Sequence, residues 1–99
     1  MGPEMYINIE KHHTDGAKLL SVLGNERRLL IMCQLTGGEI SVGEIARKVN
    51  LSQSALSQHL AKLRSLNLVQ TRREGQTIYY TTKCPKAGRI LDVLNNILE

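Results

Sequence analysis

Residues 51–64 read Leu-Ser-Gln-Ser-Ala-Leu-Ser-Gln-His-Leu-Ala-Lys-Leu-Arg, and this stretch is the most informative part of the chain. Leu56, Leu60 and Leu63 recur at the spacing of one face of an α-helix. Ser52 precedes the first turn, where its hydroxyl can cap free backbone N–H groups. We therefore predict a helix that begins after Ser52 and buries its leucine face.

The face of this helix opposite the leucines is polar and contains no acidic residue. Asp and Glu are absent from the whole of residues 49–73, whereas an ordinary exposed helix usually carries Glu–Lys pairs. Gln can pair bidentately with adenine and Ser can bond several bases, so this face suits the major groove of DNA. We predict base readout by the residues near the start of the helix: Gln53, Ser54, Ser57, Gln58 and His59. The alternative is an amphipathic surface helix without a ligand.

The chain is basic, and its basic residues are concentrated near this helix. Its 99 residues, enough for one domain, include 13 Lys and Arg against 9 Asp and Glu, a formal net charge of +4. Within residues 52–77 the charged side chains are Lys62, Arg64, Arg72, Arg73 and Glu74. The coincidence of positive charge and polar helix favours a polyanionic partner.

A second predicted helix directly before this one gives the spacing of a helix-turn-helix. Ser41 and Glu44 form a capping box that opens a short helix over residues 42–49. Asn50 follows, and asparagine tolerates the left-handed backbone of a tight turn. Two further helices are predicted upstream, over residues 15–23 and 26–35, the second capped by Asn25.

Residues 68–73 and 76–82 are rich in β-branched and aromatic side chains and predict two strands. Glu74 and Gly75 lie between them and predict a hairpin turn. A hairpin directly after a recognition helix is the wing of a winged helix, and a basic tip there can reach phosphate or the minor groove. We predict contacts with the DNA backbone from Ser41, Lys62, Arg72, Arg73, Gln76 and Thr77. The alternative for the wing is a solvated turn.

An apolar stripe runs along the last predicted helix, residues 86–98, which follows Pro85. In so small a domain this stripe cannot all face one core, so we predict that it packs with the first helix against a second copy. The residues predicted at this dimer interface are Leu20, Leu23, Ile90, Leu91, Leu94, Ile97 and Leu98. Packing within the monomer alone is the alternative. The predicted fold is mainly α with a two-stranded β wing, a winged helix-turn-helix in residues 15–99 after a flexible segment, residues 1–14.

These motifs together resemble the ArsR/SmtB family of bacterial winged-helix repressors over nearly the whole chain. The resemblance is closest to NolR-like and HlyU/BigR-like members, and it is carried by Asn25-Glu-Arg-Arg-Leu29, Ser41-Val-Gly-Glu-Ile45, Leu51-Ser-Gln-Ser-Ala-Leu-Ser-Gln-His-Leu60 and Gln76-Thr-Ile-Tyr-Tyr80. It implies a homodimer that binds double-stranded DNA at an imperfect inverted repeat and blocks transcription.

The resemblance also leads us to expect that no metal is sensed. Family members that bind thiophilic ions carry Cys-Val-Cys where this chain has Ser41-Val42-Gly43. Members that bind zinc need Asp-x-His and then His-x-x-His or Glu. Three of these four positions hold Cys84, Lys86 and Ile97 here, and the fourth falls beyond residue 99. We therefore expect no metal, no cofactor and no evident small-molecule ligand.

Cys33 leaves a redox alternative open. HlyU/BigR-like members pair a cysteine of the second helix with one at the end of the last helix, and here Cys33 matches the first position while Glu99 occupies the second. Cys84 lies at the other end of that helix, about 22 Å away, too far for the same disulfide. The apolar neighbours of Cys33 in the sequence favour a buried, slowly reacting thiol. The alternative is a thiol- or sulfur-responsive repressor switched through Cys33.

Other classes of protein find no support in the sequence. The first apolar stretch is short and interrupted, and no apolar run approaches the ~20 residues that span a bilayer, so we expect a soluble cytoplasmic protein without a membrane partner. No carboxylate pair, nucleophile with a base, or phosphate-binding loop predicts an enzyme. A winged helix that binds protein would be expected to expose an apolar face after Ser52, where this chain exposes a polar one.

Overall fold

The computed structural model describes residues 8–99 and shows a mainly helical chain with one small antiparallel sheet. In chain order its elements are α1 (His13–Leu23), α2 (Glu26–Leu35), β1 (Ile40–Ser41), α3 (Val42–Val49), α4 (Gln53–Ser65), β2 (Gln70–Glu74), β3 (Thr77–Thr81) and α5 (Pro85–Leu98). The predicted winged helix-turn-helix is confirmed. Helices α3 and α4 form the helix pair, and strands β2 and β3 form the wing.

The described helical structure reaches further toward the N-terminus than the sequence predicts. Of the predicted flexible segment, residues 1–7 lie outside the described residues, and residues 8–11 are helical. Helix α1 begins at His13, before the predicted start at residue 15. The His13 ring packs back on the preceding turn, where its Nδ1 lies 2.7 Å from the Glu10 carbonyl oxygen.

The leucine face of α4 lies at the centre of the hydrophobic core. Leu56, Leu60 and Leu63 belong to one buried cluster with Ile31 of α2 and Ile45 of α3. Full burial of a leucine side chain stabilises the fold by about 1.5–3 kcal/mol. Because all three leucines lie on one side of α4, the opposite side of the helix is left to solvent.

Polar side chains fix where the helices begin and end. Asn25, Ser41 and Ser52 each accept a hydrogen bond from a backbone N–H of the following first turn, at 3.0 to 3.3 Å. Asn50 has φ 55°, the left-handed conformation predicted for the turn between α3 and α4. Asn67 ends α4 in the same way, with φ 57°. The local capping that the sequence predicts is confirmed for α2, α3 and α4.

The sheet has three strands, one more than the sequence predicts. Its order is β1-β3-β2, and β1 pairs with β3 through Ile40 with Tyr80 and Ser41 with Tyr79. Strand β1 contains only two residues, and so short a run shows no alternating pattern by which a strand is recognised in a sequence. The consequence is that β1 joins the start of α3 directly to the wing.

The turn at the tip of the wing lies one residue later than predicted. Glu74 pairs with Thr77, so Gly75 and Gln76 form the turn instead of Glu74 and Gly75. Gly75 has φ 62°, and glycine at the first turn position is typical of two-residue hairpins whose twist matches their strands. Gln76 and Thr77 therefore stand at the tip, where they were expected to meet DNA.

Candidate nucleic-acid interface

A cleft of about 430 Å³ lies where the wing approaches the first turns of α3 and α4. Its lining comes from β1, α3, α4, the wing turn and β3, and consists of Ser41, Val42, Gly43, Gln53, Gln76, Thr77 and Ile78. Ser41, Gln53, Gln76 and Thr77 were all predicted from the sequence as DNA contacts. The structure brings these side chains together from separate elements.

Two helix N-termini lie beside this cleft. Ser41 caps α3 and Gln53 is the first residue of α4, and both line the cleft. The unpaired N–H groups of a first helical turn carry partial positive charge, which favours a phosphate oxygen. The cap hydroxyl of Ser41 accepts one hydrogen bond and still has a proton to donate. None of the residues lining the cleft is acidic, so nothing in its wall opposes an anion.

The solvent side of α4 carries most of the residues predicted for base readout. Gln53, Ser54, Ser57 and Gln58 are exposed. Lys62 follows Gln58 by one helical turn and is exposed on the same side. The helix therefore presents hydrogen-bonding groups near its N-terminus and a cation further along.

His59, also predicted for base readout, does not share this side of α4. The ring is partly buried, and its Nδ1 lies 3.2 Å from a guanidinium nitrogen of Arg28 on α2. Its position three residues after Leu56 places it at the edge of the buried face. Burial lowers the pKa of His59, and the nearby charges of Arg28, Lys62 and Arg27 lower it further.

The two arginines of the wing point to opposite faces of the sheet. Arg73 pairs with Ile78, which lines the cleft, and directly paired residues on antiparallel strands point to the same face. Arg73 therefore stands on the cleft side. It is exposed, and within residues 8–99 it takes part in no ion pair. Its charge is available to a phosphate group.

Arg72 is held by other side chains on the opposite face. Its guanidinium donates to Glu39 at 2.7 and 3.0 Å and to Glu74 at 3.0 Å, and lies 4.6 Å from the ring centroid of Tyr79. Hydrogen bonding to Glu39 raises the pKa of Arg72, and the same bonds lower the pKa of Glu39. Two carboxylates already pair with Arg72, so its guanidinium ties the wing to Glu39 instead of standing free beside the cleft.

Cys33 is exposed, contrary to the predicted burial. It lies in a groove of about 360 Å³ between α2 and α5, lined also by Leu29, Leu91, Leu94, Asn95, Leu98 and Glu99. Helix α2 turns Ile31 and Met32 into the core, so residues that neighbour Cys33 in the sequence do not surround its thiol in space. Cys33 and Cys84 are both free thiols. Glu99 lines the same groove as Cys33, at the place where related proteins were expected to supply a second cysteine.

The residues predicted at a dimer interface differ widely in exposure. Leu20, Ile97 and Leu98 are 66%, 69% and 79% exposed, as an unpartnered apolar face requires. Leu94 is half-buried, and Ile90 and Leu91 are partly buried against the core. Leu23 is only 5% exposed, so it belongs to the core and not to an interface.

One residue of this apolar face was missed by the sequence analysis. Val93 is 54% exposed and lies in a groove of about 460 Å³ between α1 and α5, together with Leu20 and Leu94. Its position three residues after Ile90 and four before Ile97 places it on the same side of α5. Helical spacing alone was sufficient to find it.

The described part of the chain, residues 8–99, contains no group of three His, Cys, Asp or Glu residues close enough together to hold a metal ion. None of its helices combines the length and the apolar character needed to cross a membrane.

Comparison with known proteins identifies the family. Residues 25–71 match the family model described as bacterial regulatory protein, arsR family. The transcriptional activator HlyU of Vibrio cholerae is 45% identical over 90% of this chain and 82% of its own length. The chain belongs to the ArsR family. The resemblance noted from its motifs is thereby confirmed.

Two solved structures extend the match to the fold of this ArsR-family chain. NolR from Sinorhizobium fredii has a TM-score of 0.82 and 47% identity, covering 98% of this chain and 93% of its own. The transcriptional repressor BigR from Xylella fastidiosa has a TM-score of 0.86 and 36% identity, covering 98% and 96%. The chain is a DNA-binding transcriptional regulator of the ArsR family and not an enzyme.

We predict that the Glu39 carboxyl titrates below its ordinary pKa chiefly because of Arg72. Hydrogen bonds from Arg72 stabilise the carboxylate, so Arg72→Gln should raise the pKa of Glu39 toward its ordinary value. Because the pKa of Glu39 is lower in the folded than in the unfolded chain, this link stabilises the fold above the ordinary glutamate pKa. The stabilisation is lost as the pH falls through the lowered value. NMR titration of the side-chain carboxyl carbons measures the difference.

Arg73→Gln is the matched control, since it removes the neighbouring charge from the other face of the same strand. It should leave the titration of Glu39 close to that of the wild type. Identical titration of Glu39 in the wild type and in Arg72→Gln would contradict the ion pair.

Proposed function

We propose that this ArsR-family regulator is a homodimeric repressor that recognises an imperfect inverted repeat, with α4 in the major groove and the wing along the DNA backbone. The observation that carries the proposal is the cleft in which Ser41, Gln53, Gln76 and Thr77 meet beside two helix N-termini. A polyanion placed against this cleft would meet hydrogen-bond donors and no carboxylate in its wall.

Base readout is assigned to the exposed residues of the first turns of α4: Gln53, Ser54, Ser57 and Gln58. The N-terminal end of a recognition helix is the end that contacts base edges in helix-turn-helix proteins. The amide of glutamine can donate to and accept from adenine at once, and the serine hydroxyls can bond several bases. His59 is left out because its ring is turned toward Arg28.

Contacts with the DNA backbone are assigned to both sides of the cleft. Arg73, Gln76 and Thr77 supply them from the wing, Lys62 from the exposed side of α4, and Ser41 from the start of α3. Arg73 carries a charge that no carboxylate of the described residues neutralises. Phosphate contacts of this kind set the position of the protein on the duplex without reading sequence.

A second copy of the chain is proposed to cover the apolar face of α1 and α5. Leu20, Val93 and Ile97 are each more than half exposed there, and an exposed apolar patch of this kind marks an interface in a monomeric fold. A two-fold dimer would place the two recognition helices about 34 Å apart, one turn of DNA. Partnership with chromosomal DNA places the protein in the cytoplasm, and the proposal needs no cofactor.

We predict that Gln53→Ala or Gln58→Ala weakens binding to the preferred duplex by about 1–3 kcal/mol and relaxes preference at one base position. The physical reason is the loss of a bidentate contact to a base edge, which leaves contacts to phosphate unchanged. The preferred duplex is obtained by selection from a random-sequence library, and affinities are measured on it and on a random duplex.

Arg73→Ala is the control for that experiment. It should weaken binding to both duplexes alike and lower the salt slope by about one. If either glutamine variant weakened both duplexes equally, the corresponding glutamine would not read bases.

We predict that Val93→Glu combined with Ile97→Glu gives a folded monomer with weakened binding to the preferred duplex. Both side chains are exposed, so the change charges the proposed interface without disturbing the core. Sedimentation analysis measures the state of assembly, and circular dichroism checks the fold. Asp92→Lys, at an exposed position of α5 that lines neither groove beside this helix, is the control and should remain dimeric. A wild-type monomer with full affinity would refute the dimer.

A second candidate function, a thiol-responsive repressor, is favoured by the exposure of Cys33 in the groove between α2 and α5. A thiol that solvent reaches can be oxidised or persulfidated, whereas the buried thiol expected from the sequence would be protected. Any group added to the sulfur would enter the groove beside Leu91 and Leu98, on the helix that carries the proposed dimer interface.

We predict that, if Cys33 is a switch, mild oxidant or polysulfide releases DNA from the wild type but not from Cys33→Ser. The DNA-binding titration is run on both proteins, with and without oxidant, and mass spectrometry of the intact chain identifies the adduct. Cys84→Ser is the matched control and should respond as the wild type does. If the wild type bound DNA equally well before and after modification of Cys33, the thiol switch would be refuted.

A further inference from the structure

Arg28 is a buried arginine that joins three helices. The residue is 8% exposed. Its Nε donates to the carbonyl of Val22 and one terminal nitrogen to the carbonyl of Ser21 at 3.5 Å, both in the last turn of α1. The other terminal nitrogen lies 3.2 Å from Nδ1 of His59 on α4. One guanidinium therefore connects the helix with the proposed dimer face to the recognition helix.

The contact between Arg28 and His59 requires an uncharged imidazole. A guanidinium can only donate hydrogen bonds, so Nδ1 of His59 must accept, which leaves the ring proton on Nε2. A proton added at Nδ1 would remove the acceptor and set two positive charges against each other at this distance. The contact can exist in one protonation state of His59 and not in the other.

The charged groups around His59 all oppose its protonation. Arg28 and Arg27 on α2 and Lys62 on α4 are the charged groups that act on the ring, and all are positive. Helix α1 contributes the Ser21 and Val22 carbonyls, which already accept from Arg28. Burial adds to these charges, and together they lower the pKa of His59.

We propose that Arg28 and neutral His59 form a proton-sensitive link that positions α4 relative to α1, so that acidification weakens sequence-specific DNA binding. The inference rests on the proposed function, because it needs α4 to read bases and α1 to lie at the dimer interface. In a two-fold dimer the position of α4 relative to α1 sets the placement of both recognition helices on the DNA. When the link is lost, α4 can shift relative to α1. Contacts with phosphate tolerate such a shift better than contacts with base edges do.

The effect has a defined direction with pH. If the neutral form is the one that binds the preferred duplex, specific affinity is full above the lowered pKa. Below it, the affinity approaches a loss of about tenfold per pH unit for each His59 ring of the dimer that must be neutral. Stability follows the same sign. The unfolded chain takes up the proton first, near the ordinary histidine pKa of about 6.5, so stability falls as the pH drops from there to the lowered value.

The test measures affinity for a duplex selected from a random library at pH 7.5, and for a random duplex, from pH 7.5 to 4.5 at constant ionic strength. In the wild type the preference for the selected duplex should fall with pH. His59→Gln keeps an acceptor for Arg28 and cannot be protonated, so its preference should be as high as that of the wild type at pH 7.5 and nearly flat with pH. His12→Gln removes an exposed histidine and should follow the wild type.

NMR titration of the His59 ring in the free wild-type protein supplies a measurement that needs neither DNA nor a variant. The inference expects a pKa below the ordinary histidine value and the Nε2–H tautomer at neutral pH. An ordinary pKa would overturn it. The inference would also be overturned if the wild type and His59→Gln bound the selected duplex with the same pH profile. That result would leave the proposed function intact. Failure to enrich any sequence at pH 7.5 would instead refute the proposed function itself.

Discussion

The arrangement of the helices and the wing follows from the burial of the leucine face of α4. Leu56, Leu60 and Leu63 are almost completely buried, and successive residues of a helix point about 100° apart. Rotation of α4 by one residue would bring Ser57 into the core, where an unpaired hydroxyl costs about 1–3 kcal/mol. The core therefore fixes which side chains α4 presents to solvent. The other elements hold the solvent side of α4 in place, and the wing sets Arg73 beside it.

Two adjacent arginines at the start of α2 hold the helices around α4. Arg27 donates to the carbonyl of Val49, the last residue of α3, at 2.9 Å, and Arg28 donates to Ser21 and Val22 at the end of α1. The last carbonyls of a helix have no partner within it and carry partial negative charge, so a guanidinium both satisfies and neutralises them. The fork of five donors on arginine suits this task better than the single ammonium of lysine.

The sequence predicts the features that depend on neighbours along the chain, and it misses those that depend on distant ones. The leucine face of α4 and the left-handed Asn50 follow from residues within one or two helical turns. The bond between Glu39 and Arg72 joins positions 33 residues apart, so no local pattern contains it. Cys33 shows the opposite error, since its apolar neighbours on α2 point away from it. His59 was assigned to the exposed side by its chemistry, although its spacing from the leucines places it beside the core.

Adjacent basic residues have different functions because regular structure separates their side chains. Arg72 and Arg73 contribute equally to the net charge, but alternation along β2 sends one to Glu39 and the other to the cleft. Salt dependence of DNA binding counts only cations that displace counterions from phosphate. Arg28 and Arg72 bond within the protein and instead fix the shape of the surface that DNA would meet. The net charge of +4 therefore does not show which cations can reach phosphate, because part of the positive charge is used in placing the helices and the wing.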